Sequence, residues 1–320
     1  MIGTWHIEVR SNGTTQLNDP FDMVQQSSGP LQIKSPLTSP TETQDFDLGP
    51  MEFTATNPIT FEAQVTPPAP VDWEVTLEYE TSGHRGPFSD RRTFQTRIGE
   101  TRQETYQSMG GQMKVVAQAV INGQTVRTCE TKATITGVAI SSNDITNRLV
   151  SLYSHGETPR LLHGIAMKES GYLHFCVPGP PGTCLSGQDA LYNKPNESWP
   201  HESYDGGSHI GLMQMPITME HAWDWQVNTT NAADLFREKI SIARSLMRRI
   251  IRTHRGLRQL TNLERENMAL VLYGPHASGD LGSQYYVPQR TASGDWDWVV
   301  NTNGNPSGVA YANDIRSRMQ

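Results

Sequence analysis

The chain has 320 residues, a formal net charge of −7 at pH 7 and 36% hydrophobic residues. That length predicts two or three folded units, and the acidic balance excludes binding to nucleic acid or anionic membrane through a global positive field. No apolar run reaches the roughly eighteen residues that a membrane-spanning helix needs, so no membrane span is expected.

Along the chain, "TWHIEVRSNGTTQL" alternates Trp5, Ile7 and Val9 ahead of Asn12-Gly13, the signature of a hairpin. The start "MIGTWHIEVRSNG" has neither the basic nor the apolar region of a signal peptide, so a destination outside the cytoplasm implies another route or a sequence that is a fragment of a longer one. Ser, Pro and Thr then dominate up to about residue 50, as in a linker or extended arm. Residues 51–137 read as short strands: Phe61, Ala63 and Val65 share one face, and Trp73, Val75, Leu77 and Tyr79 another. With the Asn122-Gly123 turn, this spacing predicts a small antiparallel β-sandwich. Its closing hairpin loosely resembles the last strands of an immunoglobulin-like module.

From about residue 138 the period becomes helical. Ser and Asn cap candidates precede Ile145, Leu149 and Leu152, and Thr158, Pro159 and Gly171 bracket "TPRLLHGIAMKESG". The longest helix, from "NAADLF" onward, places Ile242, Leu246 and Ile250 on an inner face. Thr261 and Glu264 have capping-box spacing, and a last helix runs through "YANDIRSRM". Cys176 and Cys184, eight apart in "FCVPGPPGTCLSG", are either a disulfide clamping an irregular loop, which implies an oxidising destination, or two unrelated thiols. Cys129 reads as a buried strand thiol.

Glu169 ends a helix after apolar Ile165, Ala166 and Met167. Lost hydration and the negative end of the helix dipole both favour its protonated form, which is what a proton donor in glycosidic cleavage requires. The segment "GGSHIGLMQMPIT" has no helical or strand period. Its small residues permit close backbone approach, and Gln214 can donate to and accept from a sugar. A solvated helix end and a tight packing turn are the plain structural readings of these two features.

A helix ending in Glu169-Ser170, then "GLMQ" with Pro216 and Thr218, a helix ending "ALVLYG" and a late "YANDI" together resemble the lysozyme-like lytic transglycosylases and goose-type lysozymes. The likeness covers residues 143–320. In that family the motifs are Glu-Ser, Gly-Leu-Met-Gln, Ala-Tyr-Asn-Ala-Gly and a late Tyr. The resemblance implies an α-helical domain that cuts the β-1,4 bond between N-acetylmuramic acid and N-acetylglucosamine in peptidoglycan. It makes Glu169 the catalytic acid. It assigns Ser170, Gly211, Leu212, Met213 and Gln214 to substrate binding, Tyr273 to the third motif, and Tyr311 to the back of the site, where it orients the glutamate.

Two departures stand out. Gly274 replaces the usual Asn after Tyr273, and the stretch from Phe175 to His209 is long. Asp205 lies where goose-type lysozymes carry Asp and transglycosylases tend to carry Ser. Hydrolysis with inversion needs a second carboxylate about 6.5–9.5 Å from the acid, and Asp205, or failing it Asp189 or Glu202, is the candidate. Transglycosylation needs none, because the muramyl 6-hydroxyl attacks. A turn Asp before Gly206-Gly207 is the alternative reading of Asp205.

Trp199, Trp223, Trp225, Trp296 and Trp298 suit either sugar stacking or core packing; Trp296 and Trp298, in a Gly- and Asn-rich loop, are expected on the cleft rim. Arg244, Arg248, Arg252 and Arg255 share one helix face, which is either solvated or meets an anionic partner. No metal-ligand spacing or phosphate loop occurs, so neither metal nor cofactor is expected.

The expected architecture is multidomain α and β. Residues 1–50 form a hairpin and linker, 51–137 an immunoglobulin-like β-sandwich, and 143–320 a lysozyme-like domain. The expected partners are peptidoglycan glycan strands, together with a secretion or injection apparatus or an immunity protein, and the expected location is the periplasm or cell wall. The rival readings are a non-catalytic cell-wall-binding or structural protein of a tail or injection apparatus, and a chitinase-like glycosidase.

Overall fold

A computed structural model describes residues 47–51, 59–61, 69–100, 102–104, 109–121, 123–127, 131–137, 140–153, 160–176, 183–184, 199–274 and 283–319. Of the expected hairpin and linker over residues 1–50, residues 1–46 lie outside them, as do Cys129, Thr158, Pro159 and Asp189, while the linker's last residues, from Asp47, are strand instead. The fold is mixed α and β, with helices and mainly antiparallel sheets. No helix among the described residues is long and apolar enough to cross a membrane. The chain packs as two compact units: Met1–Ala139 with Leu173–Trp225, and Ile140–Tyr172 with Gln226–Gln320.

The first unit is built on a six-stranded sheet. Its strands are β1 (Asp47–Met51), β3 (Val71–Tyr79), β4 (Phe88–Thr96), β6 (Gly111–Ile121), β7 (Gln124–Arg127) and β8 (Thr131–Gly137). They are ordered β1-β8-β6-β3-β4, with β7 on β6, and only β1–β8 is parallel. β2 (Ile59–Phe61) and β5 (Arg102–Glu104) form a separate antiparallel pair.

The period-2 pattern of β3 becomes a burial pattern: Val71, Trp73, Val75, Leu77 and Tyr79 are all buried, and the residues between them are half-exposed. Phe61 of β2 packs edge-on against Trp73 and Phe94, with centroids 5.4 and 5.1 Å apart. The Trp73 indole keeps a partner when buried, donating to the Thr96 hydroxyl at 2.9 Å.

The described residues between Leu173 and Trp225 belong to the same unit. Within them are β9 (Phe175–Cys176) paired with β10 (Trp199–Pro200), β11 (His209–Ile210) paired with β12 (Met215–Pro216), and a short helix α3 (Met219–Trp223). Trp223 meets Tyr79 and Trp199 edge-on at 5.3 and 5.8 Å, so Trp199 and Trp223 are packing residues. Two glycines, one in β8 and one just before β6, make room. A Cβ at Gly137 would stand 2.2 Å from the Phe175 ring, and one at Gly110 would stand 2.2 Å from Trp223. Cys176 and Cys184 are joined as a disulfide.

The second unit contains α1 (Ser142–Leu152), α2 (Leu161–Ser170), α4 (Trp225–Thr253, whose first residue belongs to the other unit), α5 (Asn262–Tyr273), a hairpin of β13 (Tyr286–Arg290) and β14 (Trp296–Val300), and α6 (Pro306–Ser317). Ser141 caps α1 by accepting from the Asp144 N–H at 3.1 Å. The capping box opens α5, with Thr261 accepting from Glu264 N–H at 3.2 Å and donating its own N–H at 2.8 Å.

Three boundaries and faces differ from the sequence reading. α6 starts at Pro306 and not near Tyr311, because Asn305 accepts from Gly308 N–H at 3.0 Å and Pro306 suits the first turn. α4 starts six residues before Asn231. Ile242 is 37% exposed, while Ala243, Leu246, Met247 and Ile250 make the inner face.

α2 and α6 approach closely because Gly164 has no side chain: a Cβ there would lie 2.6 Å from the Ile315 carbonyl oxygen. Beside them Glu266 is 3% exposed and is held by Arg316 at 3.0 Å and by the Tyr153 hydroxyl at 3.3 Å. Removing one partner of such a pair strands a buried charge. Arg316→Met is therefore expected to lower the unfolding free energy by about 3 kcal/mol, measured by urea denaturation. Glu266→Leu/Arg316→Met should recover most of that loss, and a double variant no better than the single one refutes the account.

Candidate active site

Glu169 stands in the last turn of α2, half-buried. The helix stops because Gly171 takes the left-handed conformation at φ 63°, returning its N–H to the Ala166 carbonyl. The neighbouring Ser170 is buried, and its hydroxyl donates to the Ala166 carbonyl at 3.1 Å. Across from α2, Tyr311 of α6 is buried and its hydroxyl donates to Oε1 of Glu169. Burial first, and then the charge of Glu169, push the Tyr311 phenol well above its ordinary pKa. Tyr273, at the end of α5, is pushed up by the same two causes in the same order. Both phenols are thus neutral hydroxyls at any physiological pH, and that of Tyr311 remains a donor to the carboxylate. The second unit brings together Glu169, Tyr273 and Tyr311.

The structure gives Gly274 a reason. Its φ of −70° suits any residue. A Cβ there, however, would sit 2.8 Å from Cε1 of Tyr311 and 3.0 Å from two further ring carbons. An Asn at this position would collide with the ring that orients Glu169. A glycine at this position therefore matches a tyrosine packed directly on the backbone.

The other predicted residues belong to the first unit. Gly211 is buried at φ 80°, a backbone open chiefly to glycine. Leu212 and Met213 are completely buried, so their side chains are core. Gln214 is half-buried and has φ 46°, an uncommon conformation for a side-chain-bearing residue. Its amide nitrogen donates to the Gly211 carbonyl at 2.9 Å and the His201 carbonyl at 3.2 Å. Of the four residues, Gln214 alone keeps an accessible side chain.

Sequence reasoning missed His174, because it weighed histidines only as metal ligands. This buried ring accepts the Leu212 N–H on Nδ1 at 3.0 Å and donates from Nε2 to the Ala222 carbonyl at 3.1 Å. One ring nitrogen must accept and the other donate, which fixes the neutral tautomer. Burial holds its pKa down to about 3. His174 ties the Gly211–Gln214 turn to α3. Its partners lie 38 and 48 residues away along the chain, so no local spacing announces it.

Of the candidate second carboxylates, the two among the described residues, Asp205 and Glu202, are engaged by their neighbours. Asp205 is exposed on a turn that continues through Gly206 and Gly207 at φ 80° and 81°. It accepts from the hydroxyls of Ser203 and Ser208 and from the Ser208 N–H at 3.2 Å. Those serine donors hold its pKa down to about 2. Glu202 accepts from the Ser82 N–H at 3.1 Å, from the Ser82 hydroxyl, and from Tyr79 at 3.4 Å.

The cleft-rim expectation for the late tryptophans needs correcting. Trp298 is buried and its indole donates to the Arg258 carbonyl at 2.7 Å, which anchors the hairpin to the turn before α5. Trp296 is half-buried, between the Arg290 guanidinium at 4.9 Å and the edge of His254 at 4.4 Å. Among the described residues no group of His, Cys, Asp and Glu is arranged to hold a metal ion.

A carboxylate whose folded pKa is depressed adds stability above its unfolded value, and that stability fades as pH falls toward the folded value. Asp205→Asn is therefore expected to cost less than about 1 kcal/mol at pH 7, since solvent screens an exposed group. The difference from the parent should vanish between pH 3.8 and about 2, followed by denaturation at stepped pH. A penalty independent of pH would refute the serine-cage account. No protein-family model matches the sequence, and no curated protein or solved structure matches it either.

Proposed function

We propose that the protein is a peptidoglycan-cleaving glycosidase in which Glu169 is the general acid, working on the β-1,4 bond between N-acetylmuramic acid and N-acetylglucosamine. The observation that carries this reading is the hydrogen bond from Tyr311 to Glu169, at a helix terminus backed by buried side chains. A half-buried carboxyl with one oxygen fixed by a neutral phenol has a set direction. General acid catalysis needs that geometry before it needs a matched pKa.

We further propose transglycosylase chemistry over hydrolysis. Glu169 gives its proton to the bridging oxygen as the bond to the muramyl C1 breaks. The resulting carboxylate takes the proton of the muramyl 6-hydroxyl as that oxygen bonds to C1, closing an anhydro ring and regenerating the acid. One carboxyl group serves both steps. Supporting this choice, Asp205 at a pKa of about 2 is a feeble base toward water, and Glu202 is occupied by Ser82 and Tyr79. Residues 51–137, with the alternating β3, are proposed as an immunoglobulin-like module ahead of the lysozyme-like region over residues 143–320. Delivery to the periplasm or cell wall is part of the same proposal, and the disulfide between Cys176 and Cys184 supports an oxidising destination.

Purified peptidoglycan turbidity is the test. Glu169→Gln should lose about a thousandfold or more of the clearing rate. Tyr311→Phe and Gly274→Asn should each lose about tenfold, because both free the carboxyl from its orienting hydroxyl. Mass spectrometry should find anhydro-muramyl ends; reducing ends would overturn the transglycosylase choice, and clearing by Glu169→Gln at the parent rate would overturn the whole assignment.

A further inference from the structure

The second half of α4 carries a charge pattern that the helix itself does not need. Arg244, Arg248, Arg249 and Arg252 of this helix, with Arg255 in the turn just after it, fall within twelve residues and are all exposed. Among the described residues none of the five pairs with a carboxylate. Other arginines of this unit do: Arg237 with Asp234, Arg258 with Glu264 at 2.7 Å, and Arg316 with Glu266 at 3.0 Å. Arg244, Arg248 and Arg252 recur every four residues, so they stand along one stripe with a rise of about 6 Å per step. That stripe points away from the buried face of Ala243, Leu246, Met247 and Ile250. Like charges at this spacing repel and weaken a helix. The concentration is stranger in a chain of net charge −7. The helix C-terminus accounts for a cation in its last turn, at Arg252, but not for those two turns earlier.

We propose that this arginine face binds the carboxylate-bearing stem peptides of peptidoglycan and holds the polymer on the second unit; the occupant rests on the proposed substrate. Charge complementarity is the argument, and the residue type sharpens it. All five groups are arginine, whose planar fork takes a carboxylate through two parallel hydrogen bonds, whereas lysine offers a point charge. A peptide-substituted glycan presents free carboxylates repeatedly along its length. It therefore meets a row of guanidinium groups several at a time, and weak single contacts add up.

The experiment measures pelleting of the full chain, carrying Glu169→Gln, with purified peptidoglycan sacculi. Arg244→Gln/Arg248→Gln/Arg252→Gln keeps length and helix propensity at three exposed sites and should weaken binding roughly fivefold to tenfold. The parent's binding should also fall with salt, and sacculi whose carboxyl groups have been amidated should bind the parent as weakly as they bind the triple variant. Equal pelleting of parent and triple variant overturns the proposal. So does undiminished binding to amidated sacculi, or a stronger preference for phosphatidylglycerol vesicles or wall teichoic acid. Cleavage is read separately on protein retaining Glu169. A parent that binds but does not cleave refutes the enzymatic reading alone, and one that cleaves equally with and without the three arginines and binds equally refutes this one alone.

Discussion

The carboxyl of Glu169 depends on how closely α2 and α6 pack. Gly164 lets the Ile315 carbonyl approach where any Cβ would intrude, at 2.6 Å. One turn before Ile315 on α6 stands Tyr311, and it is this approach that lets its hydroxyl reach Oε1 of Glu169. A second glycine completes the arrangement, since Gly274 leaves the space that the Tyr311 ring fills. The direction of one carboxyl is thus set by two absent side chains, one within α2 and one just past the end of α5. Such a constraint is steric before it is electrostatic, and it explains why neither glycine is needed for its backbone conformation.

Much of this was visible in the residues, for a physical reason that also marks the limit. Periodicity and caps report on neighbours in sequence. Hence the alternation of Trp73, Val75, Leu77 and Tyr79 and the capping box at Thr261 and Glu264 both reappear in the structure. The start of α6 was missed because "NGNP" reads as a loop until Asn305 is seen to cap Gly308. Gly and Asn around Trp298 suggest an exposed rim, yet a carbonyl forty residues away, that of Arg258, accepts a hydrogen bond from its indole. What long-range contacts decide, local pattern cannot report.

The "GLMQ" segment shows the same limit in reverse. Its absence of period suggested a wall built for a ligand. Leu212 and Met213 are instead fully buried, and Gly211 and Gln214 hold left-handed backbone so that the chain can turn between β11 and β12. The turn is kept by His174, a neutral imidazole with one acceptor and one donor engaged. A protonated ring would lose the bond to Leu212, and burial prevents that protonation down to a pH of about 3. Three of the four motif residues therefore serve to present the fourth, Gln214. A motif can be specific in sequence because its fold is demanding, with only one of its side chains left accessible.

The same distinction between holding a fold and doing chemistry bears on the second carboxylate. A turn is steadied best by an aspartate that accepts as many hydrogen bonds as its neighbours can donate, and Asp205 accepts from two hydroxyls and an N–H. Each of those bonds stabilises the anion and lowers its affinity for a proton. A base that must draw a proton from water needs the opposite, a carboxylate short of donors and closer in pKa to the working pH. The features that make Asp205 a good turn residue thus weigh against it as a general base, and the proposed chemistry needs only the one carboxyl that Tyr311 orients.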